Sequence, residues 1–443
     1  MPSATQECEL FQLVSTLTSA SVELNEYLSK HGLQDLSTES EAPRIDLAPE
    51  NSLYFRSRST IIDTAEQIIR LVRGPRDALF TLSHEHLSAS SMQLVMKYKL
   101  AHIIPLDQPM TSTEIAKKVA KPEVTPALVE RILLHTSSFG LFEAQPGGVV
   151  SHNAMSAQLV TDPDLAAWVE LLVTITYPAG AAIPEALEKY GYSMEGDEAA
   201  YGVSIGRKIS QFQRFREPDG EELHGLFARA MRGLAADGAC DMRLTVDGGY
   251  PWHLLEQNGT RLVVDVGGGP GHFAMSLAKK CPKLMFEVQD LPETVKVAAQ
   301  SCPEALKGRI SFRPHDFLTP QPKHEIAGDG GIAYFCRFIL HDWSDKYAQV
   351  ILQNIAASMR PQDRIIINDV VVPEPGHDEE KREKARRLHD RDILMLMNLN
   401  GRERTRSAFE SLCNAVTPKL RVQSVFKPEF AEVSLIEITL ASN

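Results

Sequence analysis

Beyond about Thr260 the chain carries five apolar runs, LVVDVG, LMFEVQD, ISFRPHDF, GIAYFCRFIL and RIIINDVVVP, separated by stretches of helical periodicity. Runs without polar alternation are buried on both faces, and intervening helices supply the crossovers that parallel strands require. This part of the chain is therefore constrained to an α/β fold, a parallel sheet with helices packed on it. Two last runs, LRVQSVFK and SLIEITLAS, predict an antiparallel pair at the sheet edge.

Upstream the pattern is mainly helical. Residues 9 to 31 predict a helix, and DLSTESEAPRIDLAPEN, Asp35 to Asn51, a polar linker. From Ile61 the residues Ile62, Ala65, Ile68, Ile69 and Val72 keep helical spacing on an amphipathic segment. Three helices then lead into a hairpin turning at Pro146-Gly147-Gly148, the last two opened by Thr111 or Ser112 and by Thr125. This is a winged-helix outline, but its second helix, Thr125 to Phe139, has Arg131 as its only fixed cation, with Glu130 beside it. Together with a formal net charge of -12, that argues against nucleic acid and for a structural or dimerising module. Six scattered cysteines lack metal or redox spacing, so no metal site is expected, and no run is long and apolar enough to span a membrane. A cytoplasmic protein is expected.

The tightest local signal is VVDVGGGPGHFAMSLAKK, Val263 to Lys280, a strand, a glycine turn and a helix start. Ligands of parallel sheets settle at strand carboxyl ends, where glycines admit them close to backbone. The dinucleotide fingerprint is present only in a loose form, GPGHFA. Asp265-x-Gly267-x-Gly269-x-Gly271 instead puts a carboxylate before the first glycine. S-adenosylmethionine has no phosphate, and its amino group and sulfonium are cationic, so the acid favours that cofactor over NAD. Asp290 ends the next strand, where it can accept ribose hydroxyls. Asp316 ends the one after, where it can face the adenine amino group beside the flat ring of Phe317.

His341 and Asp342 follow the fourth strand, ahead of Ser344 as a helix cap. A neutral imidazole on that rim could take a proton from a hydroxyl. Asp369 and Glu403 follow at comparable heights, and one or both could orient the ring and stabilise its imidazolium. The alternative for Glu403 is a surface pair with Arg402 or Arg404. The run EEKREKARR, Glu379 to Arg387, predicts a solvated helical face.

In order and spacing, VVDVGGGPG, QDLP, HDF, RFILHDWSD, NDVVVP and GRERT resemble the class I S-adenosylmethionine-dependent O-methyltransferases of the plant caffeic-acid and fungal secondary-metabolite type. The likeness runs from about Phe227 to the C-terminus, and more loosely over Ile61 to about Asn153. It implies a Rossmann-like domain over 251–443, a helical and winged-helix domain for dimerisation and substrate lining over 52–250, and an N-terminal helix and linker over 1–51. It further implies a homodimer formed through the N-terminal domain. By resemblance Gly267 contacts the methionyl end, Asp290 and Leu291 the ribose, and Asp316 and Phe317 the adenine. Arg337, where plant members usually have lysine, contacts the cofactor's surroundings. His341 is the implied base, flanked by Glu403 and by Asp369 in place of the usual glutamate. Phe227 and Met231 clamp a flat acceptor, and Asn398 matches a substrate-contacting asparagine.

The expected activity is O-methylation of a phenol or enol on an aromatic, polyketide-like small molecule, the acceptor being chosen by the helices from about Met155 to Met231. Two alternatives use the same residues differently. In one, the pocket keeps the cofactor bound and catalyses dehydration or pericyclic ring closure, with Arg337 gripping a carbonyl. In the other, the chain is a winged-helix sensor of S-adenosylmethionine.

Overall fold

The computed structural model describes residues 8–38, 45, 51–236, 238–324, 330–376 and 382–441, with only the backbone of 382–384. Most of the predicted linker and residues 379–381 of the charged run lie outside these. The chain forms two compact units, one of residues 1–178 with 221–234, the other of 179–220 with 235–443. The boundary expected at 250 thus falls inside the second unit.

The first unit opens with the helix Glu9–Lys30, which packs Leu24, Tyr27 and Leu28 against Tyr54 of the helix Ser52–Lys97. The Tyr27 hydroxyl donates to Asn51 Oδ1 at 2.7 Å, and the Ser57 hydroxyl to Glu23 at 3.0 Å. The long helix breaks at Gly74, ahead of Pro75, whose missing N–H cannot join the ladder.

Three short antiparallel strands follow, β1 (Met110–Thr111), β2 (Phe142–Gln145) and β3 (Val149–His152), in the order β1-β3-β2. Between β1 and β2 lie the helices Ser112–Val119 and Pro126–Ser138. The first is closed by a capping box between Thr111 and Glu114, the second by Thr125 Oγ1, which accepts from Leu128 N–H at 3.2 Å. Val129, Ile132, Leu133 and Thr136 of the second helix are buried.

The second unit is a seven-stranded sheet. Its strands are β4 (Thr260–Val266), β5 (Met285–Asp290), β6 (Ile310–Pro314), β7 (Gly331–Arg337), β8 (Arg364–Val370), β9 (Leu420–Phe426) and β10 (Val433–Leu440), in the order β6-β5-β4-β7-β8-β10-β9. The five strands from β6 to β8 are parallel. The expected antiparallel pair closes the sheet edge, with its order reversed in space: β10 is inserted antiparallel between β8 and β9, and β9 is the outermost strand. Val433, Leu435, Ile436 and Ile438 are accordingly fully buried, which explains their apolar character.

Side chains alternate between two cores, with Tyr334 and Cys336 of β7 facing Ile351, Leu352 and Phe409, and Ala333 and Phe335 facing Phe273, Leu277 and Trp252. The chain runs outward through β4, β5 and β6 and returns to β7 on the other side of β4. That reversal opens a crevice at the carboxyl ends of β4 and β7, where the sequence motifs lie. Among the described residues no single helix is long and apolar enough to cross a membrane.

Candidate active site

The loop after β4 is drawn tightly against its neighbours. Gly267 has φ 68°, and a Cβ there would collide with Ile339 and lie 3.5 Å from Phe317 Cε1. The loop therefore touches the segments that follow β6 and β7. A Cβ on Gly268 would lie 2.6 Å from the Asp265 carboxyl carbon, so that carboxyl is tucked against the loop.

Asp265 is 2% exposed, and its Oδ2 has no partner. Burial first, and the Asp290 charge second, raise its pKa to about 7, against the opposing influence of Arg337 and a backbone hydrogen bond from Ala274. Asp290 spans the loop and its own strand end, accepting from Gly269 N–H at 2.9 Å and Leu291 N–H at 2.7 Å. Asp316, exposed, caps its turn by accepting from Leu318 N–H at 2.9 Å. The Phe317 ring stands edge-on to Trp343, with centroids 5.8 Å apart.

These features suit a cation. An orphaned carboxylate oxygen in a dry place is stabilised by a positive ligand group, whereas a pyrophosphate would meet Asp265 as a like charge.

His341 sits on a single 3₁₀ turn, Leu340–Asp342, just past β7. Its Nδ1 is 2.8 Å from Glu403 Oε1, and its Nε2 is 3.4 Å from Asp342 Oδ1. The Phe338 ring stacks on it at 5.3 Å between centroids. Burial pulls the imidazole pKa down, but Glu403, Asp342 and Asp369 together outweigh it and carry it up to about 10. Burial pushes the carboxyls up as well, Asp342 to about 7 and Asp369 to about 6, with His341 opposing both. Asp369 reaches the His341 backbone N–H, at 3.2 Å, where the sequence allowed for contact with the ring. Asp369 Oδ1 and Glu403 Oε2 remain buried without partners.

Other sequence candidates lie as follows. Arg337 donates through Nη1 to Thr245 Oγ1 at 3.1 Å and to Asn368 Oδ1, and through Nη2 to the Cys240 carbonyl at 2.7 Å. It ties the segment 240–245 to β7 and β8, and both terminal nitrogens are engaged within the protein. Asn398 is buried, its Oδ1 without a partner and its Nδ2 donating to the Leu394 carbonyl. Phe227 and Met231, on the helix Glu221–Ala236, pack in the first unit around Ala167, Leu171, Leu226 and Ala230.

The suggested surface pairing of Glu403 with Arg402 or Arg404 is replaced by another arrangement. Both arginines bind Asp345, at 3.1 and 2.9 Å, and the Arg404 side chain is completely buried. Sequence reasoning missed that burial, because an arginine between polar residues carries the signature of a surface position.

Comparison with known proteins agrees with this geometry. A family profile described as an O-methyltransferase domain matches residues 252–416. "O-methyltransferase CTB2" of Cercospora beticola is 60% identical over 97% of this chain and 93% of its own length. The chain belongs to the S-adenosylmethionine-dependent O-methyltransferases. A second O-methyltransferase, elcB of Phaeosphaeria nodorum, is 49% identical over 96% of this chain and 94% of its own.

Among solved structures, OxaC in complex with sinefungin and meleagrin superposes with a TM-score of 0.70 at 21% identity, covering 99% of this chain and 100% of that one. LepI in complex with S-adenosylmethionine gives 0.69 at 21% identity, over 97% and 100%. At such identities the likeness is one of fold. The cofactor of this methyltransferase is S-adenosylmethionine, and the buried, unpartnered oxygen of Asp265 beside the β4 loop is consistent with it.

The close approach at Gly267 has a measurable consequence. Gly267→Ala forces a side chain into left-handed backbone and into Ile339, and is expected to lower the unfolding free energy by about 3 kcal/mol. Adding Ile339→Ala should recover only part of this, because the backbone strain stays. Urea denaturation of the three variants reads both steps, and an undiminished midpoint for Gly267→Ala would contradict the packing described.

Proposed function

We propose that this methyltransferase acts on a phenolic or enolic hydroxyl of an aromatic, polyketide-like secondary metabolite, with His341 as the general base. The observation that carries the proposal is the buried His341–Glu403 contact on the rim of the crevice, two residues from Ile339, which touches the glycine loop. When bound, S-adenosylmethionine supplies a methyl group activated by its sulfonium charge.

The remaining work falls to the chain. Asp265 pairs with the cationic amino end, with Gly267 and Gly269 bringing backbone close. Asp290 and Leu291 border the ribose, Asp316 and Phe317 the adenine, and Arg337 fixes the neighbouring segment. Glu403 keeps Nδ1 occupied so that Nε2 takes the proton, and Asp369 secures the backbone beneath. Asn398 contacts the acceptor.

In the free protein so basic a histidine holds its proton at neutral pH. A second positive charge on the same rim lowers its proton affinity, because like charges disfavour one another, and so makes the neutral base available. Phenols and enols ionise far more readily than alkyl alcohols, so one imidazole is enough for them.

The ring-closing alternative relied on Arg337 gripping a carbonyl, and the bonds of that side chain to Thr245, Asn368 and Cys240 speak against it. With labelled methyl donor and a panel of hydroxynaphthalenes, wild-type protein should transfer label, and His341→Gln should lower kcat by roughly 10²- to 10⁴-fold. Transfer at the wild-type rate by that variant would refute the base. Acceptor conversion without consumption of the donor would refute methyl transfer.

The Asp265 role sets a pH dependence. The cation binds the ionised carboxylate, so below a pKa of about 7 binding must release its proton. Affinity should then fall by about tenfold per pH unit, with proton release on titrating S-adenosylmethionine in buffers of different ionisation enthalpy. Asp265→Asn should flatten the dependence, and a flat wild-type profile between pH 5 and 7 would exclude the assignment.

The functional unit we assign is a cytoplasmic homodimer. Past the kink of the helix Ser52–Lys97, Leu79, Phe80 and Leu82 are 67%, 57% and 58% exposed, an apolar face suited to a second copy. The cysteines among the described residues are all free, as in a reducing compartment. Light scattering should give twice the chain mass, and Leu79→Glu with Phe80→Glu should give the monomer. A wild-type monomer at tens of micromolar would dismiss the dimer.

A further inference from the structure

We propose that Arg404 is a positioning residue that fixes the catalytic turn by gripping the carbonyls on both sides of His341 and Asp342. The inference rests on the reading of His341 as the base and deepens it.

A single 3₁₀ turn has too few internal hydrogen bonds to hold a side chain in one place. The turn Leu340–Asp342 leaves β7 through Phe338, which has φ 52°, and its constraints come from elsewhere. Arg404 Nη1 donates to the Leu340 carbonyl at 2.7 Å, and Nη2 to the Trp343 carbonyl at 2.7 Å. Between these, Arg402 N–H donates to the His341 carbonyl at 2.8 Å. Gly401 packs so close that a Cβ on it would overlap that carbonyl and come within 2.8 Å of the Asp342 backbone carbon.

The third corner of the guanidinium, Nε, donates to Asp345 at 2.9 Å. With the Arg402 carbonyl, 3.2 Å from Nη1, four acceptors surround one planar donor, which explains why arginine, and not lysine, stands here. The backbone of Arg404 is anchored too, its carbonyl accepting from Val372 N–H at 3.1 Å just past β8. The neighbouring residue, Glu403, bears the carboxylate on Nδ1. One short segment therefore sets both the imidazole's partner and the backbone from which the imidazole hangs.

The charged groups facing the ring are Glu403 from this segment, Asp342 from its own turn and Asp369 from β8, with the Arg404 guanidinium behind. Arg404→Lys keeps the charge and removes the fork, so a shift in the titration of His341 reports geometry alone. The probe is the full-length protein carrying ¹³C-labelled histidine, titrated by NMR, with the His341 signal assigned by its loss in His341→Gln.

The titration midpoint in Arg404→Lys is expected to fall by about one pH unit, since Glu403 and Asp369 no longer meet the ring and backbone squarely. Calorimetric affinity for S-adenosylhomocysteine should stay within about twofold, because the glycine loop is untouched. Asp345→Glu also keeps its charge while displacing the anchor, at a position one-third exposed, and should shift the midpoint in the same direction by less.

An unmoved midpoint in folded Arg404→Lys overturns the proposal. So does an unmoved midpoint in Asp345→Glu alone, should the lysine variant yield no folded protein. A fall in S-adenosylhomocysteine affinity in parallel with the midpoint also overturns it, by showing a general loss of structure. If His341→Gln still transferred methyl groups, the base would fail while the titration result stood, so the two readings fail separately.

Discussion

The contact between His341 Nδ1 and Glu403 Oε1 sets the terms for the rest of this site. The two side chains are 12% and 1% exposed, so neither can rely on water. A surface pair of this kind contributes about 0 to 1 kcal/mol, but a buried one makes each partner costly without the other, by about 3 to 5 kcal/mol. Such a pair is viable only where the backbone on both sides is already fixed. That requirement is met by the register of the sheet. Arg337 pairs with Asn368 across β7 and β8, and Phe338 N–H then donates to the Asn368 carbonyl at 3.2 Å. The chain leaves β7 at that point, and Phe338 turns it so that Ile339 meets Gly267 while the His341 N–H meets Asp369.

The C-terminal strand belongs to the same construction. Ser434 of β10 lies opposite Asp369, and its carbonyl accepts from Asn368 Nδ2 at 3.1 Å. A strand inserted antiparallel at this position gives β8 two partners, which holds Asn368 and Asp369 in register. Asn368 in turn accepts from Thr245 Oγ1 at 3.0 Å and from Arg337, so a buried polar chain joins the segment 240–245 to the strand that carries the acid. Networks of this kind are rigid when every member is satisfied.

The parallel sheet and its strand-tip acids were legible because each depends on local signals. Apolar runs with helices between them dictate crossovers, and Asp265, Asp290 and Asp316 stand where such runs end. His341 was legible as a candidate for the same reason, and Glu403 as the carboxylate in NLNGRERT that follows a helix at a comparable height. The position of β10 was not, because two adjacent runs predict a hairpin equally well whether the second lies inside or outside the first. Nor was the burial of Arg404, since its partners are the carbonyls of Leu340 and Trp343, and backbone acceptors leave no mark in a sequence. The partner of Asp369 was hidden likewise. Its side chain, one methylene shorter than glutamate, accepts through Oδ2 from a backbone N–H that any residue would offer.

What unites the two halves of the crevice is an excess of buried acceptors. Asp265 Oδ2 by the glycine loop, and Asp369 Oδ1 and Glu403 Oε2 by the imidazole, lack partners among the described residues. Each is a cost in the free protein, since a desolvated carboxylate oxygen without a donor is unfavourable. On the proposed assignment, Asp265 would hold the ligand's ammonium and the acids around His341 would face its positive sulfonium, so one binding event would offset both costs. The glycines then serve proximity, and selectivity for a cation over a pyrophosphate comes from carboxylates that the fold has buried ahead of the ligand. An anion-binding loop of the same backbone shape would need Asp265 removed, which is why the residue two before the first glycine discriminates between cofactors more sharply than the glycines do.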